Sequence, residues 1–187
     1  MTTTEPTPHY VQKNQPDGVP PLELTGERTL PDVPEENYWY QRHLVVYEWL
    51  RDRVEGLKVI DMASGEGYGA AVLRQKAREV VGIEANPDAF AHAVARYPRV
   101  RFERSLVETY GEDADAVTFL QTIEHVQDPG AVLENFKRSA PSGASVLTFG
   151  VETNAVGADR LKFSSTAPGS WTCSIVCRNV TASASSP

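Results

Sequence analysis

Apolar positions along the chain change their period at Leu57. Upstream, from Pro34 or Glu35 to about Arg53, Tyr40, His43, Leu44, Tyr47 and Leu50 recur at helical spacing, and Gly56 follows as a stop. Downstream, short apolar runs alternate with amphipathic stretches. LKVID (57–61), EVVGIE (79–84), VRFERS (100–105), DAVTFLQ (115–121) and SVLTFG (145–150) read as strands. AAVLRQKA (70–77), NPDAFAHAVARY (86–97) and DPGAVLENFKRSA (128–140) read as helices. Pro87 and Pro129 stand near two helix starts, and Asp128 supplies an N-cap. Strands and helices alternating at this pace predict a parallel sheet covered on both faces. Right-handed crossovers then make it an open, doubly wound α/β fold.

Both ends depart from this pattern. Seven of the thirteen prolines precede Glu35, among Thr, Glu, Asp and Gly, which predicts a loosely attached arm over residues 1–22. Residues 23–150 form the expected domain. Residues 151–187 hold seven Ser and four Thr and end in TASASSP. Only LKFSS and SIVCRNV stand out there as strand candidates.

Composition narrows the function. The 187 residues are 41% hydrophobic and 23% charged, enough for one domain with a core. A formal net charge of −7 gives no basic footprint for nucleic acid. No apolar run reaches membrane-spanning length, and the N-terminus lacks the basic and apolar regions of a signal peptide, so a cytoplasmic protein is expected. Cys173 and Cys177, the two cysteines, are too few for a zinc site or a disulfide framework, and no metal is assigned.

The candidate chemistry lies in VIDMASGEGYGA, residues 59–70. Gly65, Gly67 and Ala70 satisfy the G-x-G-x-x-A pattern between a strand and a helix, which two adenosine cofactors share. Asp61, at the end of the first strand, separates them. A carboxylate there repels a diphosphate and suits a ligand bearing an ammonium and a sulfonium, directly or by holding loop amides. Glu84 ends the second strand 19 residues after Gly65, where a carboxylate accepts ribose hydroxyls. Asn86 and Pro87 are placed to flank an adenine.

DMASGEGYG, VVGIEANPDA, DAVTFLQTIEHVQDP and PSGASVLTF together resemble the class I S-adenosylmethionine-dependent methyltransferases. The resemblance covers about residues 57–150, with TGER (25–28) and the helix from Glu35 also similar. It implies that Asp61, Ala63, Gly65 and Gly67 hold the methionine moiety of S-adenosylmethionine. Glu84, with its neighbour Ala85, takes the ribose, and Gln121 lies near the donor's amino-acid end or sulfonium. Three positions depart from the family pattern: Ala63 replaces a loop glycine, Arg104-Ser105 replaces the Gly-Asp that contacts adenine, and Ser142 replaces a turn glycine. Ser105 or the backbone of Leu106 then serves the adenine.

Glu124 and His125, directly after the fourth strand, stand at the mouth of the sheet. His125 reads as a base for a hydroxyl acceptor, or the pair as part of a divalent metal site, or as loop-shaping residues. Tyr38, Trp39 and Tyr40 with Arg42 and His43 read as a lid or as core, Arg42 being the best placed for a ligand contact. The expected function is methyl transfer from S-adenosylmethionine to a small or medium hydroxylated acceptor. Alternatives are an inactive remnant that binds the donor, and an NAD-linked oxidoreductase. The resemblance implies seven strands with the last two as a hairpin, whereas five are accounted for by Phe149, so an incomplete C-terminal hairpin is expected.

Overall fold

The computed structural model describes residues 15–22, 29–34, 37–123, 126–139, 145–149 and 172–175. Helix α1 (Asn37–Arg51) precedes β1 (Lys58–Met62), α2 (Tyr68–Leu73), β2 (Glu79–Ile83), α3 (Pro87–Arg96), β3 (Arg101–Glu103), β4 (Ala116–Leu120), α4 (Pro129–Ser139), β5 (Ser145–Phe149) and β6 (Thr172–Ile175). The strands form one sheet in the order β3-β2-β1-β4-β5-β6, and every pairing is parallel. The five expected strands and the doubly wound architecture are present. β6 lies beside β5 in register Ser145↔Thr172, overlapping the start of SIVCRNV, while the candidate strand LKFSS falls outside the described residues.

Strand alternation sorts the core into two layers. Ile60, Met62, Val81, Ile83, Val117 and Phe119 point to one face, where they pack with Val132 and Phe136 of α4. Phe119 meets Phe136 edge to face, with ring centroids 5.0 Å apart. Val59, Val80, Ala116 and Leu120 point to the other face, under Tyr47 and Leu50 of α1 and Tyr68 and Leu73 of α2. Asp61 is two residues after Val59 and therefore shares the face covered by α1 and α2.

Two boundaries differ from expectation. α2 ends at Leu73 rather than near Ala77, because the chain must turn back into β2. The amides of Gln75 and Lys76 reach carbonyls only three residues behind, and Arg74 Nη1 donates to Ala77 O at 3.0 Å. Composition also put residues 15–22 in a loose arm, yet Val19 and Leu22 are buried. Leu22 packs with Leu30, Val33 and Ala89, and His92 Nδ1 lies 2.7 Å from Pro20 O. The capping expectations hold at α4, where Ala131 N donates to Asp128 Oδ1 at 2.9 Å. At α3, Asn86 Oδ1 accepts from the amides of Asp88 and Ala89, and Pro87 fills the first turn.

Candidate functional site

The order β3-β2-β1-β4 reverses direction between β1 and β4, the position at which open parallel sheets leave a crevice beyond their carboxyl ends. An open cleft lies there. Ala63, Ser64, Gly65 and Glu66 of the loop after β1 form one wall, and Leu120 at the end of β4 with Gln121 and Thr122 after it another. Thr29, His43, Val46, Tyr47 and Tyr68 complete the lining.

The loop owes its shape to left-handed backbone at three positions. Ala63, Gly65 and Gly67 have φ of 55°, 57° and 91°. A left-handed alanine is strained by about 1–2 kcal/mol, so the mild exchange of glycine for Ala63 carries a local energetic cost. Ser64 N donates to Ile83 O at 2.8 Å, and Gly67 N to Ser64 O at 3.0 Å, tying the loop to β2 and to itself. A Cβ on Gly67 would lie 2.7 Å from the Phe102 ring.

Asp61 is fully buried beneath this loop. Its strand partners are Gly82 on β2 and Thr118 on β4. Thr118 Oγ1 donates to Asp61 Oδ1 at 2.6 Å, and the Tyr47 hydroxyl lies 3.4 Å from both carboxylate oxygens. Burial pushes the Asp61 carboxyl up to about 7, against the pull of the Thr118 and Tyr47 hydrogen bonds, and the charge of Glu84 pushes the same way. Burial and the neighbouring acid hold the Tyr47 hydroxyl well above its ordinary value. The carboxylate is thus held by two hydroxyls and lies behind the cleft lining. Tyr47 reaches it because Gly69 has no side chain: a Cβ there would sit 2.0 Å from the Tyr47 ring.

Glu84 is held differently. Its Oε2 accepts from Gly65 N at 2.9 Å and its Oε1 from Asn86 N at 2.8 Å, so two backbone amides fix the carboxylate. Each oxygen keeps a further lone pair for a ligand hydroxyl. Glu84 N in turn donates to Glu103 O, which brings Glu84 and Ala85 beside the end of β3. Ser105 and Leu106 follow that strand end. Ser105 Oγ donates to Leu106 O at 3.3 Å, and Leu106 leaves 56% of its surface exposed.

The structure therefore brings Ala63, Gly65 and Gln121 to the cleft, and puts Asp61 behind it and Glu84 with Ala85 along its rim. Gln121 turns the chain after β4 with a φ of 55°. Arg42 does not line the cleft: its guanidinium lies over the Trp39 and Tyr38 rings, 5.2 and 5.8 Å from their centroids, on the outer side of α1. Of the three adjacent aromatics, Tyr40 turns inward to the Tyr68 ring while Tyr38 and Trp39 stay exposed. Glu124, His125 and the TGER segment lie outside the described residues. Among the described residues no group of His, Cys, Asp and Glu is arranged to hold a metal ion, and no helix is long and apolar enough to cross a membrane.

Three residues of the site carried no functional signal in the sequence. Tyr47 reads only as one of the helically spaced positions before Arg53, Tyr68 only as part of the glycine-loop motif, and Thr118 only as part of a strand. Every other residue of β4 is apolar and Thr118 stands at the strand's midpoint, opposite Asp61 in register. An isolated polar residue within a buried strand was the one available hint.

The methyltransferase domain family matches residues 38–162. A Mycolicibacterium smegmatis protein named as a probable S-adenosylmethionine-dependent methyltransferase is 43% identical over 131 residues, covering 68% of this chain and 51% of the relative. A ubiquinone biosynthesis O-methyltransferase of Psychrobacter arcticus is 31% identical over 105 residues, covering 50% of this chain and 40% of the relative. The solved complex of DhpI with SAH superposes with a TM-score of 0.52 at 25% identity, covering 59% of this chain and 56% of that one. The chain spans about half the length, or less, of the curated relatives it matches.

Proposed function

This chain belongs to the methyltransferase domain family, and we propose that its cleft binds S-adenosylmethionine and directs the methyl group to an oxygen of a small or medium hydroxylated acceptor. The observation that carries the reading is the pair of acids around the loop, Asp61 behind it and Glu84 on its rim. A cationic sulfonium and ammonium above Asp61 would stabilise the buried carboxylate in its charged form, whereas a diphosphate in the same place would oppose it.

In this reading Ala63, Gly65 and Gly67 present backbone to the methionine moiety, and Gln121 meets its amino-acid end from the opposite wall. Glu84, with Ala85, receives the ribose on the lone pairs that Gly65 N and Asn86 N leave open. Leu106 offers an exposed apolar side chain to the adenine, beside Ser105. An added Cβ on Gly65 meets nothing within 4 Å, which leaves space over the loop at that position for the donor. Oxygen as the target atom draws on the O-methyltransferase relative. Methyl transfer asks the protein mainly to align donor and acceptor, and a hydroxyl acceptor gains further from a base.

Incubation with S-adenosylmethionine and a panel of phenolic and sugar-type acceptors tests the proposal. S-adenosylhomocysteine should appear together with an O-methylated product. A protein that binds the donor yet methylates only nitrogen or carbon acceptors would contradict the choice of oxygen.

A further inference from the structure

Besides the loop after β1, α1 contributes the imidazole of His43 to the cleft lining. His43 Nδ1 lies 3.5 Å from Thr29 Oγ1, and the same hydroxyl lies 3.4 Å from the Tyr68 hydroxyl. Thr29 and Tyr68 are buried, so the three side chains make a connected polar strip in a wall that is otherwise apolar or aromatic. The strip is built from the segment before α1, from α1 itself and from α2.

We infer that His43 is the base that takes the proton of the acceptor hydroxyl, with Thr29 as its positioning residue; this rests on the reading of the cleft as a site of methyl transfer to oxygen. In the tautomer this requires, Nδ1–H donates to Thr29 Oγ1, the Thr29 hydroxyl donates to Tyr68 Oη, and Nε2 keeps its lone pair. As the bond from the acceptor oxygen to the methyl carbon forms, the bond from sulfur to that carbon breaks and its electron pair stays on sulfur. The hydroxyl proton passes to Nε2, so one positive charge leaves the sulfonium and one appears on the imidazole. Water then removes the proton.

Physical chemistry favours His43 for this step. Burial holds its pKa below the ordinary histidine value, and the Arg42 guanidinium pushes the same way, so the ring is neutral and proton-accepting at pH 7. The other titratable groups of this wall and loop are Tyr47 on the same helix, Tyr68 on α2 and Glu66. Burial raises both tyrosines, which stay protonated. Glu66 belongs to the loop after β1, between Gly65 and Gly67.

The test compares wild type with His43→Gln and Thr29→Val, each first checked for an intact thermal transition. Donor binding by calorimetry should stay within about threefold of wild type in both. kcat/KM for the best acceptor of the panel should fall about 100-fold or more in His43→Gln, with loss of the acidic limb of the pH profile, and about 10-fold in Thr29→Val with the limb displaced. In wild type, 15N NMR of the four histidines should show His43 at pH 7 as the Nδ1–H tautomer, and Thr29→Val should remove that preference. A His43→Gln enzyme with unchanged kcat/KM and pH profile would overturn the assignment while leaving the methyl-transfer reading intact. Wild type that fails to bind S-adenosylmethionine would instead overturn the reading of the cleft. An Nε2–H tautomer for His43 overturns the assignment without any turnover assay.

Discussion

Asp61 and Glu84 end neighbouring parallel strands on either side of one glycine loop, yet their surroundings are opposite. Asp61 is sealed under α1 and α2 and held by the hydroxyls of Thr118 and Tyr47. Glu84 lies at the rim and is held by the amides of Gly65 and Asn86. Burial pushes Asp61 up to about 7, while Glu84 is arranged to offer open lone pairs to a ligand. A side-chain carboxylate thus serves once as a buried charge whose cost a cation can relieve, and once as a hydroxyl acceptor. What separates the two is which helix covers the strand end.

The largest effect should come from breaking the seal. Gly69→Ala puts a Cβ where the Tyr47 ring lies, 2.0 Å from Cζ, and should destabilise the fold by about 3 kcal/mol, read as a fall in melting temperature. An unchanged melting temperature would show that α1 and α2 are not locked by this contact. Next, Asp61→Ala leaves the Thr118 and Tyr47 hydroxyls without their buried acceptor and removes the charge behind the loop. Donor affinity should drop about 100-fold, equivalent to about 3 kcal/mol, in a calorimetric titration. Retained affinity would show that the acid does not act on the ligand.

Titration sharpens the same contrast. An acid whose native pKa of about 7 lies above its ordinary 3.8 holds a proton that the unfolded chain has already lost. Its contribution to stability is complete below the lower value and is lost as pH rises to the upper one. A cation bound over Asp61 lowers the native value. Donor binding near pH 7 should therefore release protons, seen as a dependence of the calorimetric heat on buffer ionisation enthalpy. Heats independent of buffer would contradict the coupling.

On the exposed side the effects are smaller. Glu84→Gln keeps a side-chain oxygen for one amide but weakens the ribose contact, and affinity should fall about 10-fold. It should also lower the pKa of Asp61, since the charge of Glu84 helps to raise it. Smallest of all, Ala63→Gly relieves a left-handed alanine and should raise stability by about 0.5 kcal/mol, the relief being partly offset by the greater freedom of glycine in the unfolded chain.

The residues themselves show why some of this was legible in the sequence. The five strands and the turn loop follow from local pattern, and Asp128 and Pro87 from local capping chemistry. Asp61 and Glu84 could be singled out because strand ends and glycines fix their place. The partners of Asp61 could not, because Tyr47 and Thr118 are 14 and 57 residues away and only the packed sheet and helix bring them together. The strip of Thr29, His43 and Tyr68 is likewise tertiary, spanning 39 residues from Thr29 to Tyr68. Arg42 stands beside the cleft-lining His43 in sequence, but the helical phase of α1 sets its guanidinium over the outer rings of Tyr38 and Trp39.

Parallel calorimetric titrations of the wild-type chain with S-adenosylmethionine and with NADH test the central claim most directly. Saturable one-site binding of S-adenosylmethionine, at least about 100-fold tighter than any binding of NADH, is the predicted result. Equal or tighter binding of NADH would contradict it.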